Sequence, residues 1–165
     1  MLATIREEIL RAARETKVEL IELEPPKAEK IRCDLLVKYG KDQRFEFCCD
    51  NVSNYAAVQH PEAWTWIHEF VGNGPVLLFY DSSLDSKAHP DRSMFLVPSG
   101  RALVELLEEC YGFVFYVTND NTDFVLCFND HDYLIGSGNA KDWTASLAPR
   151  YEAWAKSLKD SPSHI

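Results

Sequence analysis

The chain has 165 residues, 46% of them hydrophobic and 26% charged, which suits one globular domain and argues against disorder outside its ends. Its 17 Lys and Arg stand against 26 Asp and Glu, a net charge of −9 that is wrong for neutralising phosphates and so excludes nucleic acid as a partner. The excess is uneven. Residues 1–60 are close to neutral, whereas residues 99–136 set Arg101 alone against Glu105, Glu108, Glu109, Asp120, Asp123, Asp130 and Asp132. Such a bias would attract a basic protein partner; the alternative reading is that it only keeps the protein soluble. No basic segment with an apolar core opens the chain and no run nears ~18 apolar residues, so neither a signal peptide nor a membrane span is expected. The five cysteines form no CxxC pair, which fits free thiols in a reducing cytoplasm rather than a disulfide framework or a zinc ribbon.

In chain order, Thr4 and Glu7 make a capping box for a helix over residues 4–16, with Ile5, Ile9, Ala12 and Ala13 at helical spacing. Residues 18–23 are a short apolar strand or a loop on the core. Residues 27–39 carry two signals. Pro25, Pro26 and Gly40 bracket them as helix start and stop, while Ile31, Cys33, Leu35, Val37 and Tyr39 alternate as in a strand. The bracketing favours a helix. Residues 44–49 read as a strand, with Phe45 and Phe47 alternating with polar neighbours, and residues 51–60 as irregular. Pro61 and Gly72 delimit an aromatic helix holding Trp64, Trp66 and Phe70. Residues 76–80 and 94–97 are apolar strands, and residues 99–111 a helix with Leu103, Leu106 and Leu107 inward.

Residues 113–136 read as a three-stranded meander. Two-residue turns at Asp120 with Asn121 and at Asp130 with His131 place Phe113, Phe115, Val117, Phe124, Leu126, Phe128, Tyr133 and Ile135 on one face. Under that register Cys127 pairs with Leu134. The opposite face holds Tyr116, Thr118, Asp123, Val125 and Cys127, with Asn129 and Asp132. A last helical stripe joins Trp143, Leu147, Tyr151, Trp154 and Leu158, with Asp142 as a cap and Pro149 restarting the helix. Residues 161–165 form a frayed tail. The expected fold is one α+β domain. An antiparallel or mixed sheet of about five strands, centred on the meander, packs against helices near 61–71, 99–111 and 146–160.

Chemistry points first to Asn129, Asp130, His131 and Asp132. A histidine beside carboxylates titrates near neutral pH and can bind or relay protons. Asn and Asp also favour tight turns for backbone reasons alone. With Tyr116 and Cys127 these four make up the candidate binding set. Cys127 is four residues from His131 but not across the ladder from it, which argues against a nucleophilic pair. The acidic loop with Asp81, Asp85, His89 and Asp91 lacks the glycine and spacing of a calcium loop, so no metal is assigned. His60 reads as a helix-entry residue and His68 as a core histidine. Hydrolase, zinc-protease, nucleotide and dinucleotide motifs are absent, so no catalytic residue and no cofactor is assigned.

Phe115 with Tyr116, residues 124–127, Asn129, His131 with Asp132, and residues 134–136 together resemble the C-terminal signature of an uncharacterised family of small bacterial proteins. The resemblance covers about half the chain. It implies a bacterial, cytoplasmic α+β protein and no particular activity. Size and composition are also similar to those of immunity proteins that neutralise toxins. Two expectations follow. One is a non-catalytic binding protein, of the immunity-inhibitor type, for a basic partner such as a toxin nuclease. The other is a small-molecule binder, or an enzyme of unidentified reaction, using the Asn129 to Asp132 turn.

Overall fold

A computed structural model describes residues 3–81 and 91–160. The loop histidine His89 and the tail at 161–165 lie outside the described residues. Helix α1 (Ile5–Thr16) begins where expected, with Thr4 Oγ1 accepting the Glu7 N–H at 3.2 Å. Strand β1 is only Ile21–Glu22, and α2 runs Pro25–Tyr39. The bracketing prolines and Gly40 thus decide residues 27–39, and the strand-like alternation does not. Only Ala28, Ile31 and Leu35, at helical spacing, are buried, and Val37 is 73% exposed.

Two expectations invert in the next stretch. Residues 44–49 are not a strand but part of an irregular segment, 41–52, and the supposedly irregular part beyond it contains β2 (Tyr55–Gln59). The reason is local competition for backbone groups. The buried Asn51 side chain accepts the Asp42 N–H (2.7 Å) and donates to the Asp42 and Glu46 carbonyls (2.9 and 3.0 Å). Side-chain bonds of this kind replace a ladder.

The aromatic helix splits into a 3-10 turn (Ala63–Trp66) and a short α3 (Ile67–Val71). Its tryptophans, like Trp143 and Trp154, are half-buried. Strands β3 (Val76–Tyr80) and β4 (Met94–Val97) follow, then α4 (Gly100–Glu109), with Ser99 capping it. The meander is β5 (Phe115–Thr118), β6 (Phe124–Phe128) and β7 (Tyr133–Gly138). Two helices close the fold, α5 (Lys141–Ala145) and α6 (Ala148–Asp160). Asp142 lies inside α5, and Ala140 is its cap.

The domain is α+β; among the described residues it has a seven-stranded sheet of order β1-β4-β3-β5-β6-β7-β2 in which every pairing is antiparallel. Cys127 pairs with Ile135, not Leu134. The cause is Asp132, at φ 63°, which closes a three-residue loop with the Asp132 N–H bonded to the Asn129 carbonyl. A left-handed residue after such a turn shifts the register by one. One residue of slip exchanges faces, so Leu134 enters the core expected to hold Tyr133 and Ile135, and Tyr133 is exposed. The first hairpin pairs Phe115 with Phe128, a shift of two from the expected register, which keeps each side chain on its expected face.

The sheet has a core on each face. Leu78, Phe95, Val117 and Leu126 face α1, α3 and α4 through Ile9, Ile67, Leu103 and Leu106. Leu77, Phe79, Tyr116, Val125, Cys127 and Ile135 face α2 and the 41–52 segment. Among the described residues no helix is long and apolar enough to cross a membrane.

Candidate functional site

The Asn129 to Asp132 turn is largely absorbed by its own backbone. Asn129 Oδ1 accepts the N–H groups of His131 and Tyr133, each at 3.0 Å. The His131 side chain is 77% exposed, and its Nε2 stands 3.8 Å from Asp130 Oδ1. An exposed pair at that distance adds little. Tyr116 and Cys127, by contrast, are buried cross-strand neighbours under the 41–52 segment. The six candidate residues therefore do not converge. Asn129 borders one open cavity, of about 610 Å³, with Lys41, Cys49, Asp50, Tyr55 and Tyr133. Among the described residues no histidine lines it.

A second cavity, of about 480 Å³, opens between α2, residues 45–48 and the end of β3. Arg32, Cys33 and Leu36 of α2 form one wall, Phe45 and Phe47 another, and Phe79 and Asp81 the floor. The floor is an aromatic column. The Arg32 guanidinium carbon lies 4.7 Å from the centre of the Phe79 ring, Phe79 stacks on Tyr116 at 5.0 Å, and Phe47 meets Tyr116 edge-on at 5.9 Å. A cation over a ring face is stabilised by the ring quadrupole.

The polar groups around this column are linked. Tyr116 Oη donates to Asp81 Oδ1 at 2.5 Å and accepts the Cys49 N–H at 3.0 Å. Burial is the main force raising the Asp81 carboxyl above the usual range, opposed by the Tyr116 hydrogen bond and by Arg32. Burial also raises the Tyr116 phenol and the Cys127 thiol well above their usual values. A hydrogen bond from the Cys127 thiol lowers the Cys49 thiol instead. Arg92 is held by Glu29 and Glu46.

Arg32 has far less. Its Nη2 donates to the Tyr80 carbonyl at 3.2 Å, and its buried Nε has no acceptor among the described residues. Burial, then repulsion from Arg92, lowers its pKa, yet a guanidinium keeps its proton and five N–H donors. A buried donor left without a partner costs ~1–3 kcal/mol. Among the described residues no cluster of three His, Cys, Asp or Glu side chains could hold a metal ion.

Sequence reasoning found Tyr116 and Cys127 but missed Arg32, Phe45, Phe47 and Phe79. Asp81 entered it only as a loop acid. The signals were present but divided among three distant stretches. An arginine beside the buried stripe of a helix, an FxF pair and a fully apolar strand ending in aspartate meet only in the fold. No family model, curated protein or solved structure matches the chain.

Proposed function

We propose that the protein is a non-catalytic binding protein whose ligand occupies the cavity between α2 and residues 45–48. The observation that carries this reading is Arg32, a cation laid on an aromatic ring in a concave site with a buried donor unsatisfied. The cavity's volume falls within the range of ~300–1,000 Å³ typical of small-molecule sites, and its walls combine apolar side chains with the charged Arg32, Glu46, Asp81 and Arg92. Among the described residues that line it there is no histidine, and Cys49, whose thiol is the one lowered, is not among them either. Among the described residues, neither lining thiol, Cys33 or Cys48, has a histidine base beside it in the cavity, as nucleophilic catalysis of that kind uses.

Charge alone does not select a partner surface. The acidic residues of 99–136 are spread over three places. Glu105 and Glu108 lie on the outer side of α4, and Glu109 pairs with Arg11 at 3.1 Å. Asp120 and Asp123 sit at one end of β6, where Asp120 reaches Lys27 at 3.5 Å. Asp130 and Asp132 sit at its other end. A basic protein partner would meet no single acidic face, so the groove is the better-supported site.

The test is a fragment library screened by ligand-observed NMR against the native chain and C33W. Cys33 is exposed and lines the groove, so tryptophan there blocks it without disturbing the core. Hits on the native chain that vanish with C33W are expected. Absence of hits, or hits indifferent to C33W, refutes the reading.

A further inference from the structure

Resting on the groove reading, two opposite charges remain once the groove's own pairs are assigned. Arg92 and Glu46 hold each other, and Glu29 completes the set. Arg32 and Asp81 are left. They do not pair with each other, although both line the cavity. Each is held in place by something else. Arg32 is kept by the Phe79 ring and the Tyr80 carbonyl, and Asp81 by the Tyr116 hydroxyl. Phe79, Tyr80 and Asp81 are consecutive, so the carbonyl that holds Arg32 belongs to the peptide leading into Asp81. The two charges are therefore anchored by one stretch of β3 and its immediate continuation; among the described residues the cation has one hydrogen-bond acceptor and the carboxyl one bonded oxygen.

We infer that the groove binds a zwitterionic α-amino acid with an aromatic or branched apolar side chain. Its carboxylate meets the Arg32 guanidinium, supplying the acceptors that Arg32 lacks. A guanidinium is suited to carboxylates because its donors form a planar fork. Its ammonium meets Asp81, which lines the same cavity. Its side chain lies among Leu36, Phe45 and Phe47. A simple anion would face Asp81 and Glu46, and a simple cation would face Arg32 and Arg92. Only a ligand carrying both signs satisfies both halves of the site.

The test is calorimetric titration with L-phenylalanine, with 3-phenylpropionate, which lacks the ammonium, and with phenethylamine, which lacks the carboxylate. Loss of one charged hydrogen-bonded contact corresponds to about tenfold or more in affinity, so both truncated compounds are expected to bind at least about tenfold more weakly than L-phenylalanine. R32M should bring L-phenylalanine and phenethylamine to the same affinity. D81N should do so for L-phenylalanine and 3-phenylpropionate. Equal binding of either truncated compound to the native chain overturns the zwitterion. So does failure of L-phenylalanine, L-leucine and L-valine to bind while groove-directed fragments do, and in that case the groove reading stands. If neither amino acids nor fragments bind, both fall.

Discussion

The two faces of the sheet are covered by different means. On one, α1, α3 and α4 lay regular apolar stripes against β3 to β6, and Ile9, Ile67, Leu103 and Leu106 are wholly buried. On the other, α2 covers part of the sheet and the irregular 41–52 segment covers the rest, pinned by Asn51 and by the bond from the Cys49 N–H to the Tyr116 hydroxyl. Helices packed side by side fill the space between them to interior density. An irregular segment held by a few hydrogen bonds cannot, and both the 480 and the 610 Å³ cavities border it. Stability is concentrated on the first face and room for a ligand on the second.

The largest expected effect lies on the packed face. Leu103→Ala should cost about 2–5 kcal/mol in urea unfolding, as a buried leucine in a well-packed site does. Leu36→Ala, at the groove wall, should cost clearly less, and equal losses would mean that the faces are packed alike. Gly136→Ala comes next. A methyl group there would stand 2.1 Å from Thr144 Oγ1 and 2.9 Å from the Ala140 carbonyl, overpacking worth about 1–3 kcal/mol. Gly112→Ala, with nothing within 4 Å, should be near neutral by the same measurement.

On the groove face, Asn51→Ala should cost about 1–3 kcal/mol by leaving buried backbone groups unpaired. Hydrogen exchange should quicken in residues 41–52 while β3 and β5 stay protected. Uniform loss of protection would mean that the segment is not separable from the sheet.

A pH test separates the faces further. Glu8 is buried, and its carboxylate is bonded by Arg11 at 2.8 Å and by the Tyr111 N–H at 2.8 Å. The Arg11 bond is the main force holding its pKa below the usual value, against desolvation. A lowered folded pKa gives stability present above the unfolded carboxylate pKa, near 4.3, and lost as pH falls through the folded value. Acid unfolding of the native chain should therefore steepen below about pH 4.3 relative to Glu8→Gln. The smallest effect is expected at the β6–β7 turn. His131→Ala should change stability by less than about 0.5 kcal/mol, as exposed substitutions do.

Much of the fold was legible in the sequence because it rests on local signals. The Thr4 cap, the Pro25 and Gly40 brackets and the leucine stripe of α4 each act within one or two turns of chain. The misreadings arose where a longer-range or side-chain effect prevailed. Asn51 took the backbone groups that a strand over residues 44–49 would have used, and the left-handed Asp132 moved β7 by one residue. Strand β2 was missed because its partner, β7, lies far along the chain, and pairing with it makes residues 55–59 a sheet edge.

The candidate site divided the same way. The sequence by itself determined the α+β class, the meander, and the residue types of the Tyr116 and Cys127 face. It also singled out a histidine-bearing turn in which Asn129 bonds the backbone and Asp132 takes the left-handed conformation. Only the tertiary structure decided where a ligand could sit. Antiparallel crossing of β3 beside β5 set Phe79 against Tyr116, and α2 laid Arg32 on that stack. Chain neighbours are related by periodicity, which a sequence displays. Arg32, Phe47, Phe79 and Tyr116 are related only by packing, which has no period.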